Sequence, residues 1–403
     1  MTFEELKNTY RANKNFFSVT KQFGKSISKI SVNFAVFFFY VLDLFKLNSV
    51  FQYFLNRILR EQEFKSSLVG FVLTKNQNHI LVKIRELGYQ FPVFFFNYNE
   101  VTNKLDYYIS NRIILLGVLA NKGNATLLKQ ASKDEYLSND LVRVIRTIGL
   151  EKVYNRLLIN KHTILSFNDH TLYNILLFDV AKKAEIKTIY IQHAPVSYKF
   201  PPLYHDINIL FSQDSKNKYR VNNETVQVKI ACDLRFLINK ENYKLKEGVS
   251  KTILVCTNAL DNLKIVGDFV NAVSITHKVI LRPHPNDLRN WNKLDNCEIS
   301  KNSILWADLS LCNLVVTNES GVPLEAVFLG KNVYKAAFFS TPLDNYSFLK
   351  TGLIKKQYFN LPDLITAIKN NEINIDADKL NYFIGNTHNV KNVLDSVFNL
   401  KPA

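Results

Sequence analysis

Between Leu68 and Ala336 the chain runs one pattern twice: strand-length apolar runs alternate with stretches of helical spacing. In the first series the apolar runs are Leu68–Thr74, Phe91–Phe96, Asn111–Ala120, His162–Phe167, Ile186–Ile191, Ile207–Ser212 and Val226–Ala231. Helical spacing falls at Asn76–Leu87, closed by Gly88, from Leu141 onward, and at Leu172–Ala184. In the second series Thr252–Thr257, Lys278–Pro283, Asn313–Asn318 and Asn332–Ala336 read as strands. Leu260–Ile275, Ile304–Leu311 and Val322–Leu329 read as the helices between them. Apolar runs without polar alternation belong to strands buried on both faces, which is the condition of a parallel sheet covered by helices. A polar stretch, Asn239–Lys251, separates the series, and 403 residues exceed what one core ordinarily serves. The expected fold class is therefore α/β, with two doubly wound domains facing a cleft. Residues 1–60 form a helical N-terminal extension, 61–240 and 241–385 the two domains, and 386–403 a C-terminal helix. Sheets of this kind bind ligands outside the carboxyl ends of their strands, so the chemistry belongs in the cleft.

Charge narrows the partners. Lys and Arg number 51 against 35 Asp and Glu, a surplus of +16 that suits a phosphorylated substrate, an anionic membrane surface or nucleic acid. The positive residues are spread along the chain and no zinc finger or basic-aromatic signature accompanies them, so nucleic acid is not expected as a partner. The four cysteines form no CxxC pair and no metal-ligand spacing, and read as reduced thiols. The charged N-terminus has no secretory pattern, which makes the expected location cytoplasmic. The apolar run Val32–Phe45 is shorter than the roughly 20 residues a spanning helix needs. With Lys21, Lys25, Lys29, Arg57 and Arg60 around it, it reads as a core helix or as one lying on the inner leaflet.

Two segments carry chemistry. In VILRPHPND (Val279–Asp287) a strand ends in Arg282, Pro283, His284 and Pro285. The prolines stiffen the turn, and an imidazole beside a guanidinium is a good phosphate contact. In Val315–Tyr334 a strand exits through Thr317, Asn318, Glu319, Ser320 and Gly321 directly into a helix with Pro323 in its first turn. Unbonded amides, the helix dipole and the Ser320 hydroxyl suit a phosphate, and Glu325 one turn later suits a ribose hydroxyl. A pocket of Arg282, His284 and this helix start offsets phosphate charge, and no metal is expected. Three residues at strand ends of the first domain are candidate catalysts: Asp169 after Ser166–Asn168, His193 after Ile191, and Asp233 after Lys229–Cys232. Any of them suits a general base, and a carboxylate also suits a nucleophile. The chain has no GxxxxGK[ST] phosphate loop and no GxGxxG after a strand, which argues against P-loop hydrolysis and dinucleotide oxidoreduction.

The RPHP segment, followed by the Ser/Gly turn and EA-x-x-x-GK-x-V (Glu325–Val333), resembles the C-terminal half of GT-B-fold glycosyltransferases that build bacterial surface polysaccharides. The nearest likeness is to capsule-synthesis β-Kdo transferases, and Ile189–Ser197 (IYIQHAPVS) is similar to their QHG segment, with Ala194 in place of the usual glycine. Glu319-Ser320-Gly321 stands where paired serines often occur. The resemblance implies two Rossmann-like domains. It implies a nucleotide-sugar donor, preferably CMP-linked Kdo, held by Arg282, His284, Pro285, Asn318, Ser320, Gly321 and Glu325. It also implies a glycan or lipid-linked glycan acceptor at the first domain, and a retaining route in which Asp233 or Asp169 is the nucleophile and the other assists proton transfer. Sialyl- and glycerophosphate-type transferases and non-hydrolysing UDP-sugar 2-epimerases share the architecture and are the alternatives.

Overall fold

The computed structural model describes residues 2–14, 29–60, 66–96, 106–134, 137, 141–169, 171–221, 224–238, 240–243, 251–284, 287, 289–302 and 304–398. Thirteen strands among them form two sheets. The first holds β1 (Leu68–Val72), β2 (Val93–Phe96), β3 (Asp106–Ile109), β4 (Thr163–Ser166), β5 (Lys187–Ile191), β6 (Ile207–Leu210) and β7 (Gln227–Ile230). The second holds β8 (Thr252–Cys256), β9 (Lys278–Arg282), β10 (Glu298–Ile299), β11 (Leu314–Thr317), β12 (Asn332–Ala336) and β13 (Gln357–Tyr358). Their orders are β3-β2-β1-β4-β5-β6-β7 and β10-β9-β8-β11-β12-β13, and every pairing of these strands is parallel. Both orders reverse direction at one point, between β1 and β4 and between β8 and β11, which opens a crevice at the carboxyl edge of each sheet. Most of the linker stretch Asn239–Lys251 lies outside the described residues.

One expected strand is a helix. Asn111–Ala120 is helical, and the third strand is the shorter, more polar Asp106–Ile109 just before it. Ser110 starts the helix by accepting a hydrogen bond from the Ile113 amide. An apolar run of ten residues has no internal sign of its period when nearly every side is covered. Here the helix is wedged between Asn48–Arg60 and Leu141–Leu157. Its crossing with the second of these is very close. A Cβ on Gly149 would stand 2.4 Å from the Ile114 carbonyl oxygen, and one on Gly117 would stand 2.3 Å from that of Gly149. Alanine normally gains about 1 kcal/mol over glycine inside a helix. Here the obstacle is backbone, so the helices must separate, at a cost of about 1–3 kcal/mol or more. Gly149→Ala is therefore expected to lower the melting temperature, and an unchanged or raised value would contradict the close crossing.

The chain ends by returning to the first sheet. The helix Val390–Phe398 packs Val390, Leu394, Val397 and Phe398 among Val93, Phe91 and Ile84. The Tyr89 hydroxyl donates to Asp395. The return passes through Gly385, which bridges Cys232 in antiparallel fashion. Gly385 has φ +76°, and a Cβ there would lie 2.1 Å from the Phe211 carbonyl oxygen, so both backbone angle and space require glycine.

Candidate active site

The crevice is assembled from loops at the carboxyl edges of both sheets. After β8, the Asn258 backbone N–H donates to Asp261 Oδ2 at 2.8 Å, its Nδ2 donates to the Glu319 carbonyl at 3.1 Å, and its Oδ1 accepts from the Leu260 amide at 2.7 Å. The Asn258 carbonyl in turn accepts from Arg289 Nη2 at 2.7 Å. Arg289 is paired with Asp287, which donates its amide to the His284 carbonyl at 2.8 Å. Asn258 thus ties the loop carrying His284 to the turn carrying Ser320. Across the crevice, a Cβ on Gly321 would rest 3.4 Å from Pro195 Cγ, so the turn after β11 meets the His193–Pro195 loop after β5. His193 is half-buried and lies two residues before Pro195 in that loop.

His284 is solvent-accessible yet crowded enough that desolvation lowers its pKa below the ordinary 6.5. It is accordingly mostly neutral at pH 7. The Ser320 hydroxyl accepts from the amide of Val322, the first residue of the helix Val322–Phe328, at 3.2 Å, while Gly321 occupies the N-cap position. That helix has seven residues, so its dipole is modest and the turn itself is the main polar feature. Pro285 lies outside the described residues.

The remaining expected site residues are committed elsewhere. Arg282 donates to buried Asp308, to the Asn302 carbonyl at 2.9 Å and to Ser300 Oγ at 3.3 Å. Its charge is matched inside the domain, and a phosphate would have to displace a buried carboxylate. Asn318 is buried, with Nδ2 donating to Ser340 Oγ at 2.6 Å and lying 3.4 Å from Asp261 Oδ1; it braces the turn. Glu325, expected to hold a ribose hydroxyl, accepts from Arg235 Nη1 at 2.6 Å. The same guanidinium grips Asp233 through Nε at 3.0 Å and Nη2 at 2.5 Å. Asp233 is fully buried and also donates its amide to the Ile384 carbonyl at 2.7 Å. Asp233–Arg235–Glu325 is thus an ion triad between the two halves. It is no nucleophile awaiting an anomeric carbon. Asp169 is also buried, with its Oδ2 accepting from the Tyr219 hydroxyl at 2.5 Å and its carbonyl from Tyr204 at 2.9 Å. Burial holds the Tyr219 phenol far above its ordinary pKa, so it remains a donor. Of the three proposed catalysts, Asp169 and Asp233 are buried and engaged, while His193 is half-buried in the loop whose Pro195 meets Gly321.

A second cross-link lies nearby. Lys218 donates to Asp214 at 2.6 Å and to the Tyr346 carbonyl of the other half at 2.7 Å, with its side chain almost wholly buried. Burial pushes the Lys218 pKa down and the Asp214 pKa up. Neither this pair nor Arg235 was evident from sequence, because a single cation in a polar loop gives no sign of the carboxylate it will meet. The Asn258–Asp261 and Asp287–Arg289 contacts were not read from the sequence either.

Solved structures of this architecture bear on the fold. The UDP-GlcNAc 2-epimerase from Methanocaldococcus jannaschii superimposes with a TM-score of 0.53 at 13% identity, over 83% of this chain and 99% of that one. The wall teichoic acid polymerase TagF, soaked with CDPG, superimposes with a TM-score of 0.53 at 12% identity, over 93% of this chain and 98% of that one. A putative UDP-N-acetylglucosamine 2-epimerase from Listeria monocytogenes gives 0.50 at 12%, over 83% and 97%. The chain has the GT-B fold. No family model and no curated protein matches its sequence. At these identities the likeness speaks for the two Rossmann-like domains and their shared crevice.

Proposed function

We propose that this chain is a transferase that moves a sugar or related group from a nucleotide-activated donor to a glycan acceptor of a bacterial cell surface. The observation that carries the reading is the meeting of two loops: Pro195 rests on Gly321, which sets the His193 loop against the Ser320 turn at the edge where both sheets open. The GT-B fold and the RPHP and Ser/Gly segments support it. His284 and the Ser320–Gly321 turn take the donor phosphates. His193 takes the proton from the attacking acceptor hydroxyl as the bond between donor sugar and phosphate breaks, and the departing nucleotide keeps the electron pair. A cytidine-linked donor is our preferred class, with Kdo favoured by the sequence resemblance. TagF soaked with CDPG is a structural neighbour in keeping with a cytidine nucleotide.

The direct test is thermal stabilisation by CMP, CDP and UDP. A nucleotide at a hundredfold excess over its Kd should stabilise the protein by about 2.7 kcal/mol. His284→Ala is expected to abolish the shift. The pH dependence has a definite sign. The His284 pKa is depressed in the free protein and is raised by a bound phosphate, so nucleotide affinity should climb as pH falls from 8 towards 6. The His284→Ala variant should lose that climb. If none of the three nucleotides stabilises the protein at either pH, the donor site is misplaced. Conversion of UDP-GlcNAc to its 2-epimer with no acceptor present would replace transfer by epimerisation.

A further inference from the structure

We propose that the outward faces of the helices Lys29–Leu44 and Asn48–Arg60 dock the protein on an anionic lipid bilayer. Both helices are apolar on two opposite sides. One side is spent on the protein: Phe39 and Leu42 pack against Leu127 and Leu128, and Leu55 and Leu59 enter the core of the first sheet. The other side is open. Phe34, Phe37 and Phe45 are 71%, 65% and 67% exposed, Tyr53 is 63% exposed, and Leu44 and Phe54 are exposed beside them. Positions 34, 37, 44 and 45 share a helical face, as do 53, 54 and 57, so these are stripes and not scattered residues. A helix covered by protein along one side and apolar along the other has an unfilled contact, and soluble monomers rarely show a patch this continuous. No single helix among the described residues is long and apolar enough to cross a membrane. The two helices bend by 88° with respect to each other. At the elbow, exposed Phe45, Lys46 and Leu47 put two apolar side chains and a cation together at the apex, with Lys46 at φ +53°.

Charge selects the occupant. Residues 29–60 contain one acidic residue, Asp43, and it faces the protein, with Oδ2 accepting from the Gly123 amide at 3.1 Å. The outward surface is therefore apolar with exposed Lys46 and Arg57 and no exposed carboxylate among its described residues. Residues 1–60 as a whole carry nine basic and three acidic side chains. A second copy would set like charges from two chains of +16 against each other. An anionic leaflet accepts both components: aromatic side chains enter the headgroup boundary while Lys46 and Arg57 remain at the phosphates.

Flotation of the full chain with vesicles tests the proposal without any nucleotide, so its outcome is separate from that of the transferase reading. The protein should float with phosphatidylcholine vesicles containing phosphatidylglycerol, and less with phosphatidylcholine alone or at high salt. The combined variant Phe37→Glu, Phe45→Glu, Tyr53→Glu should partition at least about tenfold more weakly with an unchanged melting temperature, because these side chains are exposed. Should that variant fail to fold, Lys46→Glu with Arg57→Glu serves instead, and it should lose the preference for anionic vesicles. Retention in the soluble fraction with both vesicle types overturns the proposal. Self-association in light scattering that the same substitutions abolish also overturns it, in favour of a second copy.

Discussion

Arg235→Ala is expected to destabilise the protein by about 3–5 kcal/mol, the range for removing one partner of a buried ion pair. The reason lies in what remains. Asp233 is fully buried and Glu325 nearly so, and Arg235 donates to both. Without the guanidinium, two carboxylates stay in low dielectric with no cation between them. Arg235→Lys should recover only part of the loss, because an ammonium cannot reproduce the forked contacts to both acids. The pH dependence follows from Glu325. Burial raises its folded pKa above the ordinary 4.5, and Arg235 opposes that rise. Loss of Arg235 raises it further. A carboxyl with a raised folded pKa binds protons more tightly folded than unfolded, so stability grows as pH falls from neutral towards 4.5. The gap between Arg235→Ala and the parent protein should therefore narrow across that window. Melting temperatures of both proteins between pH 7 and pH 5 check this. A loss below about 1 kcal/mol, or a gap that widens on acidification, would mean the triad is not the cross-link described here.

That triad also shows where sequence reading stops. The strand and helix series was legible because burial on both faces leaves continuous apolar runs: ten of the thirteen strands fall in segments read that way, the edge strands Asp106–Ile109, Glu298–Ile299 and Gln357–Tyr358 were not read, and one segment read as a strand is a helix. The exception, Asn111–Ala120, is informative: ten apolar residues between two other helices carry the same pattern as a buried strand, and only Ser110 and the run's length mark it as helical. The two loops of the site were legible because Pro, His, Ser and Gly cluster at strand exits. Which polar residue in each loop remains available was not. Arg282 and His284 are two positions apart in one segment. Asp308, distant in sequence, takes the first, while the second stays accessible. Likewise Asp233 reads as a strand-end carboxylate until Arg235 closes on it. Partner choice among charged side chains is set by tertiary contacts, and these leave no local periodicity. Prolines and glycines, by contrast, act on their own backbone and announce themselves.

His193→Ala is expected to lower kcat for donor transfer by about 10²–10⁴-fold, the usual contribution of a positioned general base. The expectation rests on elimination by geometry. Asp233 and Asp169 are buried and engaged, whereas the His193 loop borders the turn that carries Ser320. Because His193 belongs to the first sheet and the donor loops to the second, nucleotide stabilisation should survive the substitution while turnover falls. His284→Ala should do the reverse and weaken nucleotide binding first. This crossed pattern separates a catalytic base from a residue that merely shapes the crevice, since a shaping residue would perturb binding and turnover together. Gln192 fixes the loop from beneath, with Oε1 accepting from the Phe211 amide at 3.0 Å and Nε2 donating to the Ala194 carbonyl at 2.8 Å. Gln192→Ala therefore leaves the imidazole in place chemically but loosens its aim, and should reduce kcat by less than His193→Ala. Steady-state rates with donor and acceptor, paired with nucleotide melting shifts on the same preparations, decide the matter. A His193→Ala enzyme with undiminished kcat would move the base to another residue of the crevice.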